Sequence, residues 1–357
     1  MPATASRRRP AAPGVRPRLA WLDVARGVAL LSMFVAHVAP TSGPAGVLNL
    51  SEFLTAALFA ALVGASVDLE ADRYGWPRAA VAALVRAAVL VACGALTGLF
   101  GAAVVDVLTH LAVVMLVSLL LCRLPSAVLA AVGAVLAAAG VWVTRAGPQQ
   151  AMEWAAPLVP AGLDPALAGT LATSWLASGP YRILLLCAYG LLGMVLVRLL
   201  RRSRRPVALG WAAAGAAVGA AAVFTARAQT GESPIPYTGT VTEAVLCVGL
   251  VAAALGACAG LTPDRWPRPT GLLAVPGSMT LSVYVAHQAY LGWVLTLGPG
   301  PWHSPSGTDD TWANLAVLCL GGILLPLLWR GLVRTEPWRR GPLEGPIRLL
   351  TDPIHGR

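Results

Sequence analysis

The chain has 357 residues, of which 57% are hydrophobic and 12% charged, with a mean hydropathy of +0.70. Soluble domains carry about 25% charged residues, so this composition excludes them and points to a multi-pass membrane protein. The net charge of +10 does not argue for a nucleic-acid partner, because the arginines fall in short clusters between apolar runs, as the positive-inside rule places them in cytoplasmic loops.

In chain order, residues 1–18 are basic and rich in Pro and Ala, and are expected to be a disordered cytoplasmic segment. Leu19 to Ala39 is too long for a signal peptide and carries Arg26, so it reads as a retained first span. Further apolar runs follow at Val47 to Leu69, Ala79 to Leu99, Ala103 to Leu121 and Ser126 to Val143. After a long loop, Thr144 to Gly179, come Tyr181 to Leu200, Val207 to Ala226, Val241 to Leu261, Leu272 to Leu297 and Trp312 to Val333. The expected fold is an all-α polytopic helix bundle of about ten transmembrane helices. The arginine clusters at 201–205 and in the tail place both termini in the cytoplasm, with a membrane domain at 19–333 and a basic tail at 334–357. The six cysteines show no C-x-x-C pair and no metal-ligand spacing, so they read as small buried hydrophobes and no metal site is expected. With no lysine there is no Walker-type motif, which disfavours ATP hydrolysis.

Ionisable groups inside a membrane are costly and mark function. Asp23 and Arg26 lie at i, i+3 on one face of the first span and can neutralise each other. His37 lies eleven residues further on, roughly 16 Å along a helix that rises about 1.5 Å per residue. Placed on the ten-span topology, His37, Glu52, Asp106, His110, Glu243 and His287 collect at one depth near the outer face, where they are expected to line one cavity. Asp106 and His110, at i, i+4, have the spacing of a carboxylate that orients an imidazole. Asp23, Arg26, Asp68 and the loop arginines gather at the inner face, where guanidinium forks suit a phosphorylated ligand such as coenzyme A. The same residues suit a proton-coupled transporter or flippase, whose relays also use Asp, Glu and His, so both readings stand on composition and placement.

The string LDVARGVALLSMFVAH at 22–37 resembles the first-helix signature of the transmembrane acyltransferases, an Arg followed directly by Gly, with ten residues between that Arg and a His. LFAALVGASVDL at 58–69 is similar to their second helix, and GSMTLSVYVAHQAYL at 277–291 to a late helix bearing a Tyr and a His. WRRGPLEGPIRLLT at 338–351 resembles the C-terminal Gly-Pro-Leu-Glu motif of a related bacterial family of unassigned function. The best overall resemblance is to bacterial proteins with a heparan-alpha-glucosaminide N-acetyltransferase-like domain. It implies transfer of an acetyl or other short acyl group from a cytoplasmic acyl-CoA to an extracytoplasmic sugar, hydroxyl or amine, at the cell membrane. His37 corresponds to the essential His, as general base or acyl carrier, and Arg26 to the essential Arg. Tyr284 and His287 correspond to the late-helix pair. The chain shows neither the long luminal N-terminal domain of the lysosomal enzyme nor an appended soluble domain, so the acceptor stays open. Taken together, His37, Arg26, Asp106, His110 and His287 are the expected catalytic residues, with Asp23, Glu52, Glu243 and Tyr284 around the substrates.

Overall fold

The computed structural model describes residues 19–40, 47–155, 164, 169, 172–262, 268–298 and 300–354; the N-terminal segment expected to be disordered lies outside them. Among the described residues the chain is helical, without strands. The helices are α1 (Ala20–Val38), α2 (Leu50–Tyr74), α3 (Trp76–Gly98), α4 (Leu108–Leu121), α5 (Ser126–Ala155) and α6 (Ile183–Leu200). They continue with α7 (Arg205–Thr230), α8 (Val241–Leu261), α9 (Arg268–Ser278), α10 (Thr280–Leu295), α11 (Trp312–Leu332) and α12 (Glu344–Thr351). Eight of these are long and apolar enough to cross a membrane, and α4 is a shorter apolar helix. A bilayer offers no water to backbone N–H and C=O groups, which is why apolar runs of this length settle as helices.

α1, α2, α6 and α8 are the most buried of the eight, whereas α5, α7 and α11 turn most of their residues outward. Leu30, Met33, Phe34, Leu58, Leu246, Leu255 and Leu291 form the fully buried centre. Small residues set the closest crossings, as they do where lipid tails leave only packing to hold helices together. Gly27 of α1 faces the Leu273 backbone and Gly277 faces the Asp23 backbone, so a Cβ at either would overlap main-chain atoms of the other helix. The glycine that follows Arg26 is therefore the seat of α9. Gly64 and Gly193 play the same part between α2 and α6.

The structure departs from the sequence expectations at four places. The fourth span begins at Leu108 rather than Ala103, so Asp106 precedes α4; the intervening loop folds inward until the Phe100 carbonyl meets Gly292 of α10. The run expected as one span from Leu272 to Leu297 is broken at Met279 (φ −120°, ψ 34°) into α9 and α10, just after Pro276 and Gly277. Proline removes a donor and clashes with the preceding turn, so a helix is weakest there. The long loop after the fifth span is partly helical, because α5 runs on to Ala155 past a break at Gly147 (φ 87°), and Ala172–Ser178 form a π-helical turn. The tail folds back as a 3₁₀ turn (Trp338–Arg340) and α12 against the arginine-rich face.

The cysteines behave as small apolar residues: Cys93, Cys122, Cys187, Cys247 and Cys258 are buried, Cys319 partly so, and all are free thiols.

Candidate functional site

α1 and α10 bring two imidazoles together from opposite ends of the sequence. His37 Nδ1 lies 3.2 Å from His287 Nε2, with the rings stacked at 5.2 Å between centroids. His287 Nδ1 lies 2.5 Å from the Tyr284 backbone carbonyl. A carbonyl only accepts, so His287 Nδ1 carries a proton. Neutral His287 then offers Nε2 as an acceptor, and His37 must donate from Nδ1. His37 Nε2 is left with its lone pair, the state required of a general base. His37 is partly exposed, whereas His287 is 2% exposed and wedged against Phe34, 5.8 Å between ring centroids.

One turn before His287, the Tyr284 hydroxyl lies 3.2 Å from Asp106 Oδ1 and donates to it. It accepts from Gln288 Nε2 at 3.3 Å and from the Val107 amide at 3.5 Å. Asp106 also caps α4, taking the Thr109 amide and hydroxyl, each at 3.3 Å. This corrects the expected Asp106–His110 relay. Because the helix starts after Asp106, the carboxylate is spent on the cap and on Tyr284, and no hydrogen bond joins it to the His110 side chain. His110 instead stacks on Trp175 at 4.1 Å and meets the edge of Tyr181.

Glu243 does not join the histidines. Its carboxylate accepts from the amides of Tyr237 (2.8 Å) and Gly239 (2.5 Å) and from the Thr238 hydroxyl (3.2 Å), while Thr240 caps the Glu243 amide at 3.3 Å. Thr240 is thus the N-cap of α8, and the Glu243 carboxylate reaches past it to hold the loop that leads into the helix. Glu52 borders a separate small pocket of about 30 Å³ with Tyr181, Arg182, Tyr237 and Glu243. The single outward cavity expected to take in all six residues is thus divided: a joined His37–His287–Tyr284–Asp106 cluster, a pocket with Glu52 and Glu243 that none of those four lines, and His110 apart from both against Trp175. In that pocket Arg182 is 7% exposed and donates to the Tyr237 carbonyl at 2.8 Å.

On the arginine-rich face, Arg26 donates to Asp23 Oδ1 and to Ser66 Oγ of α2, both at 2.7 Å. Asp23 is 3% exposed, so the expected neutralising pair forms, with Ser66 fixing the direction of the guanidinium. Asp68 lies apart from this pair. Arg198 of α6 takes it at 2.5 Å and also donates to the carbonyls of Cys122 and Leu124, tying α2, α6 and the end of α4 together. A cavity of about 1180 Å³ opens on this face. Arg26, Arg73, Arg201, Arg339, Arg340 and Arg348 line it together with Asp23, Asp72, Glu336 and Asp352, which pair with four of them, and the lining also includes Leu62, Leu108, Leu111, Met115, Tyr284 and Val107. That is above the ~300–1,000 Å³ of ordinary small-molecule pockets. Tyr284 is therefore the wall shared by the cavity and the histidine pair.

Three contributors went unseen in the sequence. Gln288 was open to detection, since it lies one turn from Tyr284 on the same face. Ser66 sits forty residues from Arg26 and leaves no local signal. Glu344 belongs to the quoted Gly-Pro-Leu-Glu string, with no role attached to it.

The helical membrane bundle thus carries a large arginine-lined cavity on one side of a tyrosine and a pair of joined histidines on the other. Residues 18–229 match the family described as heparan-alpha-glucosaminide N-acetyltransferase, catalytic. That is more than half of the chain, and the chain belongs to this family of acyltransferase-like membrane enzymes. The matched stretch contains Arg26, His37 and Asp106 and ends before α8, so Tyr284, His287 and Glu344 lie beyond it. No curated protein matches the chain.

Proposed function

We propose that the protein moves an acetyl or other short acyl group from an acyl-CoA, bound in the arginine-lined cavity, to a hydroxyl or amine at the opposite face of the cell membrane. The observation that carries the reading is the cavity itself: a mouth in which arginines outnumber the carboxylates they pair with, and an apolar throat that reaches Tyr284, whose ring meets His287 edge-on. Arg26, held by Asp23 and Ser66, stands at the level where a phosphate-bearing donor enters the throat. A pantetheine arm fits the walls formed by Leu108, Leu111 and Met115.

His37 Nε2 takes the proton from the acceptor as its oxygen or nitrogen attacks the thioester carbonyl carbon. The C–S bond then breaks, and the leaving thiolate takes that proton back from His37. His287 steadies the charged imidazole, because its Nε2 lone pair accepts the His37 Nδ1–H throughout. The arginine-rich face is cytoplasmic in this reading, as the positive-inside rule requires. The acceptor is a small molecule, with a glycan the class closest to the family's description.

The test is thiol release from acetyl-CoA by the protein in proteoliposomes, with sugar and amine acceptors at the opposite face. Release by the wild type and its loss in His37→Ala supports the reading. No release from the wild type, together with no acetyl-CoA binding, defeats it and favours a proton-coupled transporter.

A further inference from the structure

The break between α9 and α10 leaves backbone donors of α10 without the partners a continuous helix would supply. The tail supplies those partners. Glu344 Oε1 accepts from the amides of Leu281 (2.9 Å) and Ser282 (3.0 Å), and Oε2 accepts from the Ser282 hydroxyl at 2.5 Å. In return Ser282 Oγ accepts from the Leu343 amide at 3.1 Å. The approach depends on Gly341, at φ +132°, where a Cβ would collide with Glu344 Oε2. The Trp329 indole of α11 holds the same segment by donating to the Trp338 carbonyl at 2.9 Å.

The capped amides lie two and three residues before Tyr284, and His287 follows one turn later. Across the bend at Met279, the α9 side contributes the Met279 carbonyl to the Val283 amide at 3.0 Å and the Gly277 carbonyl to the Thr280 hydroxyl at 2.7 Å, which leaves the Leu281 and Ser282 amides to the tail. We infer that Glu344 is a positioning residue, which anchors the start of α10 from the tail and so sets where Tyr284 and His287 stand relative to Asp106 and His37. It touches no reacting atom. Its carboxylate also lines the basic cavity, so the tail wall of the donor site and the placement of the histidine pair share one side chain. The inference concerns the geometry of α10; only its kinetic consequence rests on the acyl-transfer reading.

The two are separated by following the full-length protein in lipid nanodiscs with two readouts, amide hydrogen exchange over residues 279–284 and thiol release from acetyl-CoA. Glu344→Ala is expected to speed exchange at Leu281 and Ser282 about tenfold or more, and to lower kcat about ten- to a hundredfold with the KM for acetyl-CoA changed less than threefold. Glu344→Gln keeps an acceptor oxygen for both amides and is expected to return both readouts to within about threefold of wild type. Ser282→Ala, which removes only the hydroxyl link, is expected to show a smaller change of the same kind and stands in if Glu344→Ala does not accumulate. Unchanged exchange in these variants overturns the inference. So does a changed KM at constant kcat, which would make Glu344 a donor-binding group. A wild type that releases no thiol sinks the acyl-transfer reading, while the exchange readout still decides the cap.

Discussion

Two acidic and aromatic groupings expected at the same depth of this bundle meet different fates. The Glu243 grouping closes on itself: its donors are Tyr237, Thr238 and Gly239, within six residues, and every carboxylate oxygen is used by its own loop. The His37 grouping closes only across the molecule, joining α1 to α10 over 250 residues and α10 to Asp106 over 178. It also ends on a ring nitrogen with its lone pair unspent. Local partners satisfy a buried group and hold a loop, whereas partners from distant helices converge on one atom left ready to react.

The largest effect that would break this contrast is expected at His37. Replacing it with Ala removes the base, and thiol release should fall about a hundred- to ten-thousandfold with the melting temperature in detergent little changed. Next comes His287→Phe, which keeps a ring of similar shape beside Phe34 but removes the acceptor that fixes the His37 tautomer. A fall in kcat of about ten- to a hundredfold is expected, and an unchanged kcat would dissolve the pair as a unit. Arg26→Lys keeps a charge but loses the fork between Asp23 and Ser66. The KM for the donor should rise about tenfold, equal to about 1.4 kcal/mol, as steady-state kinetics would reveal.

Glu243→Ala sharpens the comparison from the other side. Losing the loop's acceptor should cost about 1–2 kcal/mol of stability, visible in thermal melts, while turnover per folded molecule stays at the wild-type level. The smallest effect concerns pH. Burial raises the Glu344 carboxyl above the ordinary glutamate value of 4.5, despite its hydrogen bonds to Ser282 and Leu281. The folded protein therefore holds this proton where the unfolded chain has released it. The stabilisation is full below 4.5 and is lost as pH rises through the raised value. Glu344→Gln carries no such dependence, so its melting temperature should gain on the wild type as pH rises from 4 to 8. A constant difference would contradict this.

How much could be read in advance follows the same division between local and distant. Asp23 with Arg26 was legible because a three-residue spacing on one apolar helix dictates the meeting. His37 was legible because an imidazole in such a run is costly. The Asp106–His110 spacing misled, since periodicity does not say where a helix begins; the loop packed against Gly292 starts α4 at Leu108 and turns the carboxylate to Tyr284. The Thr240 cap was also written locally, in a Thr that precedes the apolar run of α8, although depth alone drew Glu243 toward the histidines.

By itself, then, the sequence determined that the chain is a helical membrane bundle, where most of its helices run, and which first-helix side chains carry unusual charge. Those facts depend on hydropathy, spacing and the cost of unpaired groups in lipid, all properties of short stretches. Only the tertiary structure decided that His37 meets His287, that Asp106 serves Tyr284, that Asp68 belongs to Arg198, and that Glu344 returns from the tail to cap a broken helix. Each of these is a contact between segments more than sixty residues apart, fixed by which small residues let which helices approach, and no local pattern encodes that choice.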